Sequence, residues 1–125
     1  MSFTITNTTK EKLPDHPFEK MVEKVLGKKY DLNLTIVDSA EIRRLNANYR
    51  NKNAATDILS FPLRENAGEI FLCLSEAKKE SVKFNRTFDN FVAFLFIHGL
   101  LHLKGFDHSS TMESNEEIFR KEFHI

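Results

Sequence analysis

Three of the chain's five histidines, His98, His102 and His108, fall within the segment FIHGLLHLKGFDH. Their spacing is H-x-x-x-H-x-x-G-x-x-H, with Gly105 between the second and the third. Residues four apart on a helix share one face and stand about 6 Å apart along its axis, so His98 and His102 can offer two imidazoles to one ion. Gly105 then ends the helix and admits a left-handed turn that can swing His108 back toward the pair. Three imidazoles with a fourth position open describe a catalytic zinc site, whereas structural zinc sites fill all four positions, usually with thiolate. One zinc ion per chain is the expectation, although the same three imidazoles would accept nickel or copper. A single histidine on a half-buried helix is ordinarily no ligand. Three at this spacing, on a helix so apolar that uncompensated polar groups are costly, favour the metal.

The spacing is also the frame of a zincin-like metal-binding helix, as in metzincin peptidases, except that Gly99 stands where those enzymes carry a glutamate general base. A metal-bound water with its pKa brought near 7 is already a nucleophile, so hydrolysis does not strictly require that glutamate. Peptide cleavage must still protonate a poor amine leaving group; phosphodiester cleavage needs charge neutralised on the phosphoryl oxygens instead. Arginine suits that second task. The segment RRLNANYRNK carries Arg43, Arg44, Arg50 and Lys52 with no acid among them, a local basic patch in a chain of zero net charge. Arg50 is either a solvated surface residue or a phosphate contact. Asp107 is either a turn residue or the carboxylate that bonds a ligand's second nitrogen. Met112 reads as a core methionine near Phe119 in preference to a Met-turn. Phe88, Phe91 and Phe94 have the helical spacing of core residues more than of an RNA-stacking platform.

The elements that must position these groups follow from periodicity. FTIT alternates like a short strand, and residues 17 to about 29 place Phe18, Met21, Val22 and Val25 on one helical face. LNLTIVD reads as a strand, after which Asp38 or Ser39 caps a helix through AEIRRLNANYR, with Glu41 placed as in a capping box. DILSFP and GEIFLCL form a hairpin around a turn containing Pro62, Asn66 and Gly68. Ser75 caps a helix to about Lys83; FDNFVAFLFIHGLLHL is an almost wholly apolar helix ending at Gly105, and a last helix runs through NEEIFRKEF. The class is α+β: a small mixed β-sheet covered by helices, without strict βαβ alternation.

A length of 125 residues fits a single domain over 1–125, large enough for a core without cross-links. Hydrophobic residues at 41% and charged residues at 29% exclude a disordered or fibrous chain, and twelve Phe with no Trp predict a Phe-rich core. The lone Cys73 cannot pair internally and sits in the run IFLCL, which predicts a buried thiol in a reducing compartment. With no signal-like N-terminus and no apolar run beyond FVAFLFI, the expectation is a cytoplasmic protein that does not contact membrane.

FIHGLLHLKGFDH closely resembles the H-G-x-L-H-L-x-G-y-D-H signature of the YbeY-type endoribonucleases. LNANYRNKNAATDILSFP resembles that family's L-N-x-x-y-R and T-D-V-L-S-F-P segment, and GEIFLCLSEAKKE resembles the segment that follows it. Departures are few: Ala54 and Ala55 replace a more usual charged-Pro stretch, Ile58 replaces Val, and Glu69 replaces Asp. The resemblance implies a single-strand-specific, zinc-dependent endoribonuclease acting in small-subunit (16S) rRNA 3′-end maturation and ribosome quality control. It places His98, His102 and His108 at the metal and Arg50 with His98 in catalysis, and it carries Thr56, Asp57 and Ser60 as substrate-side candidates. The implied partners are ribosomal RNA and the small ribosomal subunit, with small-subunit ribosomal proteins or an assembly GTPase as further candidates. Two alternatives stand beside it: a minimal zincin-type metallopeptidase, in which Glu69 or Asp57 would have to replace the missing base, and a non-catalytic ribosome assembly factor with a structural metal.

Overall fold

The computed structural model of the chain describes residues 2–105 and 110–125, with the side chain of Ser110 set aside. His108 and Asp107 therefore lie outside the described residues. The described order is β1 (Phe3–Asn7), α1 (Phe18–Leu26), β2 (Asp31–Ile36), α2 (Ser39–Arg50), β3 (Ile58–Arg64), β4 (Ala67–Leu72), α3 (Leu74–Lys83), α4 (Phe88–Lys104) and α5 (Ser110–Glu122). The strands form one sheet in the order β1-β2-β4-β3, with β1, β2 and β4 parallel and β3 antiparallel to β4. This is the expected α+β class with a mixed sheet.

Side-chain alternation along β3 and β4 sends neighbouring residues to opposite faces of the sheet. Ile58, Ile70 and Leu72 join the main core, which α1 and α4 close from one side with Phe18, Met21, Val22, Phe91, Phe96 and Ile97. Leu59, Phe61 and Phe71 join a smaller core beneath α2, with Val37, Ile42, Leu45 and Cys73. Helix α4 is buried on most of its circumference and packs on α1, α3, α5 and β3. Met112 is fully buried in the main core, as a core methionine.

Local signals fix the helix ends. The Asp38 carboxylate accepts from the Glu41 backbone N–H at 2.8 Å, and the Thr87 hydroxyl accepts from that of Asn90 at 3.2 Å. Gly105 takes φ 106°, and its N–H bonds the carbonyls of Leu101 and His102. Three expectations need correction. Helix α1 stops at Leu26, not near residue 29. The hairpin turns through Glu65 and Asn66 alone, because Arg64 already pairs with Ala67; Pro62 lies in β3 and Gly68 in β4. Edge position lets β3 carry a residue without an N–H, and Gly68 is needed because a Cβ there would collide with the Tyr30 hydroxyl. Cys73 is fully buried as expected, but it follows β4 and occupies the N-cap of α3, so that helix starts before Ser75.

Candidate active site

His98 and His102 leave the same face of α4, and their Nε2 atoms converge to 3.1 Å. Two nitrogens bound to one zinc ion at tetrahedral angles stand about 3.4 Å apart, so the pair fits a shared ion with little adjustment. The Nδ1 of His98 stands 2.8 Å from Oε2 of Glu116 on α5, in a pair whose side chains are only 20% and 11% exposed. A carboxylate accepts, so Nδ1 carries a proton, and in the neutral ring that leaves Nε2 with the lone pair a metal requires. Sequence reasoning missed Glu116. It lies in a segment that read only as a last helix through NEEIFRKEF.

The absent glutamate has a structural explanation. A Cβ on Gly99 would lie 2.9 Å from Cδ1 of Ile58, 3.0 Å from Oγ of Ser60 and 3.2 Å from Cδ1 of Ile70. The residue after the first histidine thus faces the sheet, where Ile58, Ser60 and Ile70 would have to give way to any side chain. Ser60 seals the contact by donating to the Gly99 carbonyl at 3.2 Å.

The histidine pair opens into a cleft of about 780 Å³ that Arg50, Thr56, Asp57 and Ser60 also line. The described residues that the family resemblance assigns to the site, Arg50, Thr56, Asp57, Ser60, His98 and His102, therefore all line one cleft. Arg50 is brought there by the end of α2, where Asn51 turns in the left-handed region at φ 56°. Buried Asn46 then ties the returning loop down: its carbonyl accepts from Lys52 N–H at 3.2 Å and its amide donates to the Ala54 carbonyl at 2.9 Å. The loop ends at Asp57, whose carbonyl accepts from Cys73 N–H at 2.8 Å. Burial holds the Asp57 carboxyl above its ordinary pKa, with help from the charge of Glu80; its own and Ile58 backbone N–H groups and nearby His98 oppose the shift. Glu69 pairs with Phe61 in β3 and does not line the cleft, so of the two substitute bases only Asp57 is near.

The aromatic expectation divides. Phe91 is fully buried and Phe88 packs at the core margin, but Phe94 lines the cleft beside Phe84, with the guanidinium of Arg86 4.5 Å and that of Arg120 5.5 Å from its ring centroid. At the Arg50 end Tyr49 is 68% exposed and its ring lies 5.1 Å from that of Phe61. No helix among the described residues is long and apolar enough to cross a membrane.

The family profile for Endoribonuclease YbeY matches residues 4–125. Endoribonuclease YbeY of Buchnera aphidicola is 41% identical over 108 residues, covering 78% of this chain and 70% of that protein. The Clostridioides difficile Endoribonuclease YbeY is 36% identical over 126 residues, covering 92% of this chain and 82% of its own. A solution structure of a Thermotoga maritima protein superposes with a TM-score of 0.66 at 28% identity, covering 97% of this chain and 88% of that one. A profile match of this extent, over a fold that gathers the matched segments around one cleft, settles the assignment: the chain belongs to the YbeY endoribonuclease family.

Proposed function

We propose that the protein is a zinc-dependent endoribonuclease specific for single-stranded RNA, acting in the cytoplasm on small-subunit (16S) rRNA 3′ ends and in ribosome quality control. The observation that carries this reading is the meeting of Arg50 with the converging Nε2 atoms of His98 and His102 in one cleft. His98, His102 and His108 would hold the ion, one per chain. A bound zinc supplies Lewis acidity at a phosphoryl oxygen and a water of lowered pKa.

The chain's own residues supply the rest. Glu116 keeps the His98 ring in the ligating tautomer. Arg50 offers its planar fork to the scissile phosphate. Asp57, whose proton is retained to higher pH than on a free aspartate, is the carboxyl placed to exchange a proton in the cleft. Thr56 and Ser60 line the substrate side, although Ser60 already spends its donor on Gly99. The partners in this reading are ribosomal RNA and the small ribosomal subunit, including small-subunit ribosomal proteins or an assembly GTPase.

The test is to incubate metal-loaded protein with single-stranded RNA, structured RNA and a peptide library. Single-stranded RNA alone should be cut, about one metal ion should be found per chain, and His98→Ala, His102→Ala or His108→Ala should each lose most of it. Arg50→Ala should lose cleavage and keep its metal. Cleavage of peptides would favour the metallopeptidase, and metal-bound protein that cuts neither would favour an assembly factor. An RNA with one 2′-deoxy nucleotide at the cleaved position separates attack by water, which tolerates it, from attack by the 2′-hydroxyl, which does not.

A further inference from the structure

Phe84, the residue just after α3, is an aromatic ring left 55% exposed. It is nevertheless held in place. Its ring stacks on fully buried Phe91 at a centroid distance of 5.3 Å and an interplanar angle of 27°; Phe91 stacks on Phe94 at 5.7 Å and 16°, and Phe94 on His98 at 6.4 Å and 17°. Phe91, Phe94 and His98 recur along one face of α4, so a row of near-parallel rings leads from Phe84 to the candidate metal ligand. From Phe91 to His98 the helix rises about 10 Å.

Phe84 also borders two pockets. One is the cleft of Arg50 and His98; the other is shallow and open to solvent, lined by Asn85, Arg86, Thr87 and Asn90. Arg86 donates to the Asn90 side-chain oxygen. Arg86 and Arg120 both lie against Phe94, while one carboxylate, that of Glu116, stands 3.8 Å from the Nε of Arg120. Burial and the neighbouring Arg120 charge lower the pKa of Arg86, as expected where two cations crowd together. An exposed ring beside an arginine-bearing polar pocket suits a ligand that is planar and apolar in one part and anionic in another. Single-stranded RNA has that chemistry, with bases that stack on aromatic rings and phosphates that pair with arginine. An apolar peptide side chain would use the ring and bring no anion to Arg86.

We infer that Phe84 is a base-stacking platform: the nucleobase of a nucleotide next to the cleaved linkage stacks on its ring, with the adjoining phosphate directed into the Arg86 pocket. The inference rests on the endoribonuclease reading of the same cleft. Standing at the far end of the row of rings from His98, Phe84 is a substrate-positioning residue, not a catalytic one.

The chain has no tryptophan, so Phe84→Trp introduces a single fluorophore at the platform. Its emission should be quenched saturably by a single-stranded oligoadenylate and not by an oligomer of abasic ribose phosphates of the same length. Phe84→Leu should raise KM for single-stranded RNA on the order of ten-fold or more with little change in kcat, and Phe84→Tyr and Phe84→Trp should restore it. Circular dichroism of the leucine variant guards against misfolding, and one abasic position walked along the substrate should reproduce the KM defect at one place only. If wild-type protein cuts RNA while Phe84→Leu has an unchanged KM and the tryptophan variant shows no base-dependent quenching, the platform is refuted and the endoribonuclease reading stands. Wild-type protein that neither binds nor cuts RNA refutes both.

Discussion

The tie between His98 and Glu116 yields a quantitative prediction through Glu116→Gln. The amide keeps the size of the carboxylate but removes its charge, so the His98 Nδ1–H would face a neutral acceptor or, with the amide reversed, a donor. The native contact of 2.8 Å joins side chains only 20% and 11% exposed, so solvent screens it little, unlike a surface pair worth about 0–1 kcal/mol. Loss of such an outer partner typically weakens metal binding about 10- to 100-fold, or roughly 1.4–2.8 kcal/mol. The expected result is a zinc dissociation constant raised within that range, measured by competition with a chromophoric chelator at neutral pH. Glu116→Asp, one methylene shorter, should fall between wild type and the glutamine variant. In a double-mutant cycle the effect of Glu116→Gln should vanish in a His98→Ala background, where there is no ring left to orient. A zinc affinity unchanged by Glu116→Gln in correctly folded protein would show that the carboxylate does not hold the ligand, whatever its distance from the ring.

Gly99→Ala sets a helix-propensity gain of about 1 kcal/mol against an overpacking cost of about 1–3 kcal/mol, because the added methyl meets Ile58, Ser60 and Ile70. Urea denaturation should show no gain and up to ~2 kcal/mol lost; a stabilisation by the full propensity term would mean that α4 is not pressed against the sheet. Gly99→Glu, which restores the metzincin base, should sharply reduce the yield of folded protein instead of conferring peptidase activity. For Asp57 the native pKa lies above the unfolded value, so its contribution to stability is present below the ordinary carboxylate range and is lost as pH rises through the raised native pKa. Asp57→Asn should therefore remove that slope from the pH dependence of unfolding and leave the protein at least as stable as wild type at neutral pH, while lowering RNA cleavage; a variant less stable at pH 7 would contradict the sign.

What could be read along the chain was what neighbours in sequence decide. The alternation of Phe18, Met21, Val22 and Val25, the Asp38 cap and the Gly105 stop are settled within a few residues, and each appears in the fold. The facing of His98 and His102 follows from the helical repeat alone. Glu116 was invisible because its partner, His98, lies eighteen positions away on a different helix. Nor could the residue type of Gly99 be explained before β3 was known to lie beneath it. Pro62 and Gly68 were misassigned for a related reason. Both resemble turn residues locally, yet an edge position tolerates one and the hydroxyl of Tyr30 requires the other. Apart from the family resemblance, Arg50 was one cation among several; the loop that Asn46 fastens is what separates it from Arg43 and Arg44.

The edge position of β3 bears on assembly as well as on chemistry. A strand on the border of a sheet offers its outward backbone groups to any extended chain, and proteins use this both to capture peptides and, unintentionally, to aggregate. Here Pro62 brings no N–H to the strand, and the pairing slips between Pro62 and Arg64, so the regular ladder of β3 is interrupted. An incoming strand could not continue a regular ladder along β3. The border beside the cleft is thus poorly suited to hold a peptide as a fifth strand and guarded against pairing with the same edge of another copy, which leaves side chains, not backbone, as the means of gripping a substrate there.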